Sequence, residues 1–211
     1  MAVHAPNIVH PILISRSPFA FLQAAPAESC GLVVADCDGL GLATVLVRRG
    51  KNTSLAQRLR ERFSIELPSG PYRTVAGARA FAGTGPGAWL ATQESGSNAF
   101  SAMLADTIGD LASLSDQSDA YAVLRLSGPR VRETLSRLVP IDVHSRNFKI
   151  GDVAATVAAH VGATLWRCED DTNGLPVFEV AVFRSFAESF WHALSESAAE
   201  FGLALAQPSR G

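Results

Sequence analysis

Residues 116–143, DQSDAYAVLRLSGPRVRETLSRLVPIDV, limit the possible folds more than any other stretch of this chain. Tyr121 to Leu126 is a β-rich run, and Ser127, Gly128 and Pro129 end it. Pro129 suits a first helical position, where its missing N–H leaves nothing unpaired and its φ is already helical. Val131, Leu135, Leu138 and Val139 then recur at i, i+4, i+7 and i+8, which makes one buried helix face. The segment therefore reads as strand, tight turn and amphipathic helix. It places no group for catalysis and has the character of a scaffold.

The same order of elements extends in both directions. The first half predicts a strand at Leu42 to Arg48 and a helix at Thr53 to Ile65. Short strands at Ala78 to Ala82 and Ala88 to Thr92 and a helix at Ser97 to Leu114 follow. The second half predicts a strand at Ala120 to Leu126 and a helix at Pro129 to Val139. Strands at Val153 to His160, Ala163 to Glu169 and Val177 to Phe183 and a helix from Arg184 to Phe201 complete it. Two similar strand-helix-strand-strand-helix halves imply an α+β class and an internal structural duplication. The expected organisation is an extended N-terminal arm over 1–30, a first α+β lobe over 31–115 and a second over 116–211, the lobes intertwined as one compact unit. The polar stretch Ser113 to Asp119 is the expected linker. In the second helix of this scheme Phe100, Met103, Leu104, Ile108 and Leu111 form one apolar face, with Ser97 and Asn98 as caps. In the last, Phe186, Phe190, Leu194 and Phe201 share a side, Arg184 and Glu188 are spaced as an i, i+4 pair, and Gly202 offers a stop.

A chain of 211 residues buries roughly 70% of the surface its unfolded form exposes, enough for a core without staples. Charged residues make up only 18% and hydrophobic residues 47%. A low charge fraction leaves less surface suited to water and hints at buried partner interfaces. The net charge of −2 speaks against general nucleic-acid binding. No apolar run reaches the roughly 18 residues of a membrane span, and no secretory signal pattern is visible. Cys30, Cys37 and Cys168 are scattered thiols with no CxxC spacing, read as small buried hydrophobes in a reducing cytoplasm.

Each possible chemical constellation fails on its context. Gly83, Gly85 and Gly87 in GTGPG lead into Trp89, Leu90, Ala91 and Thr92, a strand, whereas a phosphate-cradling loop must open a helix. A hairpin turn is the expectation there. Gly39 and Gly41 in DCDGLGLAT fail for the same reason. His144, His160 and His192 fall on a loop, a strand and a helix without metal-ligand spacing. Glu169, Asp170, Asp171 and Asn173 lack the spacing of a calcium loop and read as a solvated turn closed by Gly174. The basic run of Arg48, Arg49, Lys51, Arg58, Arg60 and Arg62, opposed only by Glu61, reads as a solvated helix face or as a docking patch for an acidic partner. The arm carries Ile8, Ile12, Leu13, Phe19 and Phe21, which need a surface to cover, supplied by a partner or by this chain's own core. The candidate partner interface is therefore Arg58, Arg62, Ile12, Phe19 and Phe21, with no catalytic, cofactor-binding or metal residues.

Three segments carry a family resemblance: the strand-Gly-Pro-helix unit at Asp116 to Val143, VFRSFAESFWHAL at Val182 to Leu194, and TGPGAWLA at Thr84 to Ala91. Together they resemble the gamma subunit of heterotetrameric sarcosine oxidase, which has the folate-binding aminomethyltransferase-like fold. The likeness is good over 81–202 and poor over the first 80 residues. It implies a non-catalytic subunit of a cytoplasmic flavoenzyme complex that demethylates sarcosine oxidatively. It also implies alpha, beta and delta partner subunits, with FAD, FMN and NAD held elsewhere in the complex, zinc in the delta subunit and tetrahydrofolate as acceptor. The small subunit of a related N-methyl amino acid dehydrogenase is a second possibility. A folate-dependent aminomethyltransferase, or a folate-binding protein of iron–sulfur assembly, is a third. The former should carry an acid in the region of Gly83 to Thr92, where none precedes Glu94, and the latter a Lys-Gly-Cys-Tyr segment that none of the three cysteines provides.

Overall fold

The computed structural model describes residues 16–22, 30–94 and 97–206. They build a four-layer α/β/β/α arrangement in which two antiparallel-rich sheets face each other and helices cover the outer faces. The chain runs through β1 (Leu32–Asp36), β2 (Gly41–Val47), α1 (Asn52–Phe63), β3 (Arg73–Ala76), β4 (Arg79–Gly85) and β5 (Ala88–Gln93). It continues through α2 (Ser97–Ile108), β6 (Ala112–Asp116), β7 (Tyr121–Ser127) and α3 (Val131–Leu138). The last elements are β8 (Val153–Ala158), β9 (Val161–Arg167), β10 (Val177–Phe183), α4 (Ala187–Ala198) and β11 (Leu203–Leu205). One sheet has the order β11-β1-β7-β10-β9-β8 and the other β3-β4-β5-β2-β6. Only the β1–β11 pair is parallel. Sheet membership crosses the middle of the chain, since β1 joins the sheet built from the C-terminal strands.

Strand alternation explains the layers, because successive side chains point to opposite faces. On β7 and β10, Leu124, Leu126, Phe178, Val180 and Val182 point outward and pack under α3 and α4 with Leu135, Phe190 and Leu194. On β2, β4 and β5, Ala43, Val45, Phe81 and Trp89 pack under α1 and α2 with Leu55, Leu59, Phe100 and Leu104. The intervening positions Leu42, Ala82, Leu90, Val123, Val153, Trp166 and Ala181 meet between the sheets. The α+β class expected from sequence is the observed one.

Several elements differ from expectation. The helix expected over Ser97 to Leu114 ends at Ile108, and the chain turns into β6, which pairs along β2. The polar stretch Ser113 to Asp119 is thus half strand rather than a plain linker: Ser113 and Ser115 are both exposed on one face, which a polar residue tolerates at a sheet edge. α3 begins at Val131 with Arg130 as its cap, so Pro129 lies in the turn before the helix rather than at its first position. The last helix is an α-helix over 187–198 flanked by short 3-10 turns. Its buried line is Ala187, Phe190, Leu194 and Ala198, while Phe186 is exposed. Arg184 donates to the Arg16 carbonyl rather than pairing with Glu188. Side chains at Ser97 and Asn98, the expected caps, lie outside the described residues.

Candidate functional site

The feature with the most chemical content is a row of side chains on the inner face of the six-stranded sheet. Ala35 pairs with Arg125, Arg125 with Glu179, Glu179 with Trp166 and Trp166 with Val153, so one residue from each of five strands stands in register. Arg125 and Glu179 are lone charges in otherwise apolar strands, and cross-strand registry brings them together. Glu179 is 4% exposed. Its Oε1 accepts from Arg125 Nε at 2.8 Å and Nη2 at 2.5 Å, and its Oε2 accepts from Trp166 Nε1 at 2.6 Å. A buried carboxylate needs this compensation, because desolvation alone would cost several kcal/mol. From the facing sheet, Arg73 lays its guanidinium over the Trp166 ring, 5.8 Å from the centroid.

Beside this row the sheets part to leave a cleft of about 390 Å³, with Asp36, Cys37, Arg73, Glu94, Arg125 and Glu179 in its wall. Burial, reinforced by the Glu179 carboxylate, pushes the Cys37 thiol up to about 12, and the same two causes act on Cys168 to the same extent. Both thiols therefore stay protonated near neutral pH, the form that is a poor nucleophile and metal ligand. Burial also raises Asp36, against the lowering effect of the hydroxyl that Ser17 donates to it. The cleft thus holds the Glu179 carboxylate, already satisfied by three donors, and a thiol kept neutral, with the half-buried Asp36 and the exposed Glu94 at its wall. Among the described residues no group of three or more His, Cys, Asp and Glu side chains is arranged to hold a metal ion. No helix among them is long and apolar enough to cross a membrane.

The candidate interface residues separate in the structure. Ile12 lies outside the described residues. Phe19 is buried in this chain's own core beside α4 and the six-stranded sheet, so the arm covers its own molecule at that point. Phe21 is 42% exposed, on the side where the Arg16 carbonyl meets Arg184. Arg58 is occupied internally: Nη1 donates to the Thr107 carbonyl at 2.8 Å and pairs with Asp110 at 3.5 Å. Arg48 donates to the Gly109 carbonyl at 3.3 Å. The two arginines thus satisfy carbonyls at the C-terminal end of α2, where the helix dipole favours a cation. Arg60 pairs with Glu66 at 2.6 Å. Arg62 is exposed.

The other constellations behave as the context rules require. GTGPG is a two-residue hairpin, with Gly85 opposite Ala88 and Gly87 at φ +69 after Pro86. Asp171 accepts from the Asn173 and Leu175 amides, and Asp170 pairs with Arg167, so the acidic stretch is a turn. His192 pairs with Glu196 on α4, and His144 accepts from the Arg146 amide. Sequence reasoning overlooked the Arg125–Glu179–Trp166 row. Its signal was present: one arginine in YAVLRLS and one glutamate in VFEVAVF, each alone among apolar neighbours.

Comparison with known proteins places this architecture. A family model described as "Sarcosine oxidase, gamma subunit family" matches residues 49–200. A sarcosine oxidase subunit gamma of Arthrobacter sp. is 33% identical over 118 residues, covering 56% of this chain and 55% of its own. Another, from Corynebacterium sp. strain P-1, is 26% identical over 199 residues, covering 92% and 95%. An aminomethyltransferase of Chloroherpeton thalassium is 32% identical over 95 residues, 43% of this chain and only 24% of that one. The matched region thus spans about half of the Arthrobacter subunit and a quarter of the aminomethyltransferase. Among solved structures, a chain of the heterotetrameric sarcosine oxidase from Corynebacterium sp. U-96 in complex with pyrrole 2-carboxylate superposes with a TM-score of 0.75 at 22% identity, covering 92% of this chain and 99% of that one. Aminomethyltransferase T from Bartonella henselae, of the glycine cleavage system, superposes with a TM-score of 0.59 at 11% identity over 84% of this chain and 48% of its own, so the fold is shared with that group too. With the family model covering most of its length, the chain belongs to the sarcosine oxidase gamma-subunit family.

Proposed function

We propose that this chain is the non-catalytic gamma subunit of a heterotetrameric oxidase that demethylates sarcosine to glycine, with formaldehyde or methylene-tetrahydrofolate and hydrogen peroxide as the other products. Its partners are the alpha, beta and delta subunits. FAD, FMN and NAD sit in those chains, with zinc in delta and tetrahydrofolate as acceptor, and the assembly works in the cytoplasm. The observation that carries this reading is the family match over residues 49–200. The internal chemistry agrees with a structural role: Glu179, the one acid buried between the sheets among the described residues, is spent on Arg125 and Trp166, and the Cys37 and Cys168 thiols are held neutral. Function belongs to sites rather than folds, so the shared aminomethyltransferase architecture does not by itself bring the transferase activity.

Tagging this chain at its native locus and purifying it gently tests the reading. The expected outcome is co-purification with three other chains, flavin colour and sarcosine-dependent hydrogen peroxide formation. Recovery of this chain alone would overturn it.

A further inference from the structure

Resting on that reading, we propose that a groove along the edge strand β3 is where another subunit of the complex docks, inserting an apolar segment that carries a carboxylate to meet Arg73. β3 ends its sheet, with only β4 beside it in the ladder, and its other side meets the chain at residues 150–152. The Arg73 amide donates to the Gly151 carbonyl at 2.7 Å, and Tyr72 bridges to Asp152. The groove between them, about 380 Å³, is walled by Tyr72, Arg73, Val75, Ile150 and Arg167.

Two kinds of observation meet there. Three large apolar side chains stand in water around one groove: Tyr72 at 46%, Val75 at 57% and Ile150 at 40% exposure. Large apolar groups clustered in this way mark a surface that a partner covers. Among them Arg73 has no ion pair with any carboxylate of the described residues, and its buried Nε lacks a hydrogen-bond partner. Arg167, in the same wall, also has a buried Nε without a partner, although its other nitrogens are occupied. The rim acid Glu66 is neutralised by Arg60, and the other, Glu169, is exposed. Arg73 is nonetheless held in place by the Trp166 ring, which favours pairing because little side-chain freedom remains to be lost. Gly151, at φ +89, makes room for the neighbouring tyrosine: a Cβ there would lie 2.2 Å from the Tyr72 ring, so only glycine lets that ring lie over the backbone. An arginine stacked on a ring and a tyrosine beside it, flanked by apolar groups, is the composition of an interface hot spot, and a carboxylate is the group a guanidinium recognises with two parallel bonds.

Two measurements on the assembled complex test this. A photo-crosslinking amino acid replacing Val75, which is exposed and so tolerates the change, should join this chain to another subunit at an apolar segment containing Asp or Glu. Arg73→Glu should weaken association by roughly thirtyfold, the scale of a hot spot, with Arg73→Lys recovering part of it. Crosslinks only to a second copy of this chain, only to its own terminal residues, or to no protein would overturn the docking site. Undiminished assembly of Arg73→Glu would do the same. If the wild-type chain co-purifies while these tests fail, only the docking site falls. If the wild-type chain joins no other subunit, both readings fall.

Discussion

At the scale of single residues, the molecule hinges on Glu179. A carboxylate between two sheets is tolerable only while Arg125 and Trp166 supply its hydrogen bonds, and the thiols nearby are held neutral by the same burial and charge. Glu179→Ala leaves the Trp166 N–H and the Arg125 guanidinium without their partner and opens a void. Arg125 is partly in water, which moderates the loss. The expected cost is about 2–3 kcal/mol. In a chain of this size that lowers the Tm by roughly 5–10 °C. Glu179→Gln, which keeps volume and one acceptor, should cost less. Differential scanning calorimetry of the purified complex decides it, and an unchanged transition for Glu179→Ala would show that the row contributes nothing to stability.

At the scale of elements, the sequence was readable where periodicity was strong and ambiguous where strands were short. α1, α3, β2, β7 and β10 follow directly from apolar spacing. β1 and β11 were missed because their partners lie far away in sequence, β1 finding β7 and β11, and β3 was missed because it is a four-residue edge with no buried stripe of its own. β6 was read as helix because Leu111 and Leu114 continue the i, i+3 spacing of Ile108. Gly109 and Asp110 break that helix, and Arg48 and Arg58 hold its last carbonyls. The same contact accounts for two of the six residues in the basic cluster, which spacing alone left open between a solvated face and a docking patch. Arg58→Ala should destabilise the fold by about 0.5–1 kcal/mol through loss of the cation at the end of α2. Arg62→Ala should stay within about ±0.5 kcal/mol. Equal values in a chemical-denaturation series would remove the distinction drawn between the two arginines. The inter-sheet row was legible only as two odd charges, since their meeting depends on strand register that no local pattern encodes.

At the scale of the whole molecule, the duplicated order of elements becomes two facing sheets clad in helices, with the inner layer small and partly charged. Apolar side chains left in water, Phe21, Phe183 and Phe186 on one side and Tyr72, Val75 and Ile150 on another, suit a chain that works inside a larger assembly. The central claim is that this chain gives architecture and carries no redox centre. The most direct measurement is the visible absorption spectrum, with extracted cofactor analysis, of this chain separated from its partners and of the complex it leaves. The account predicts flavin absorption wholly with the other subunits. A stoichiometric flavin spectrum on the separated chain would contradict it.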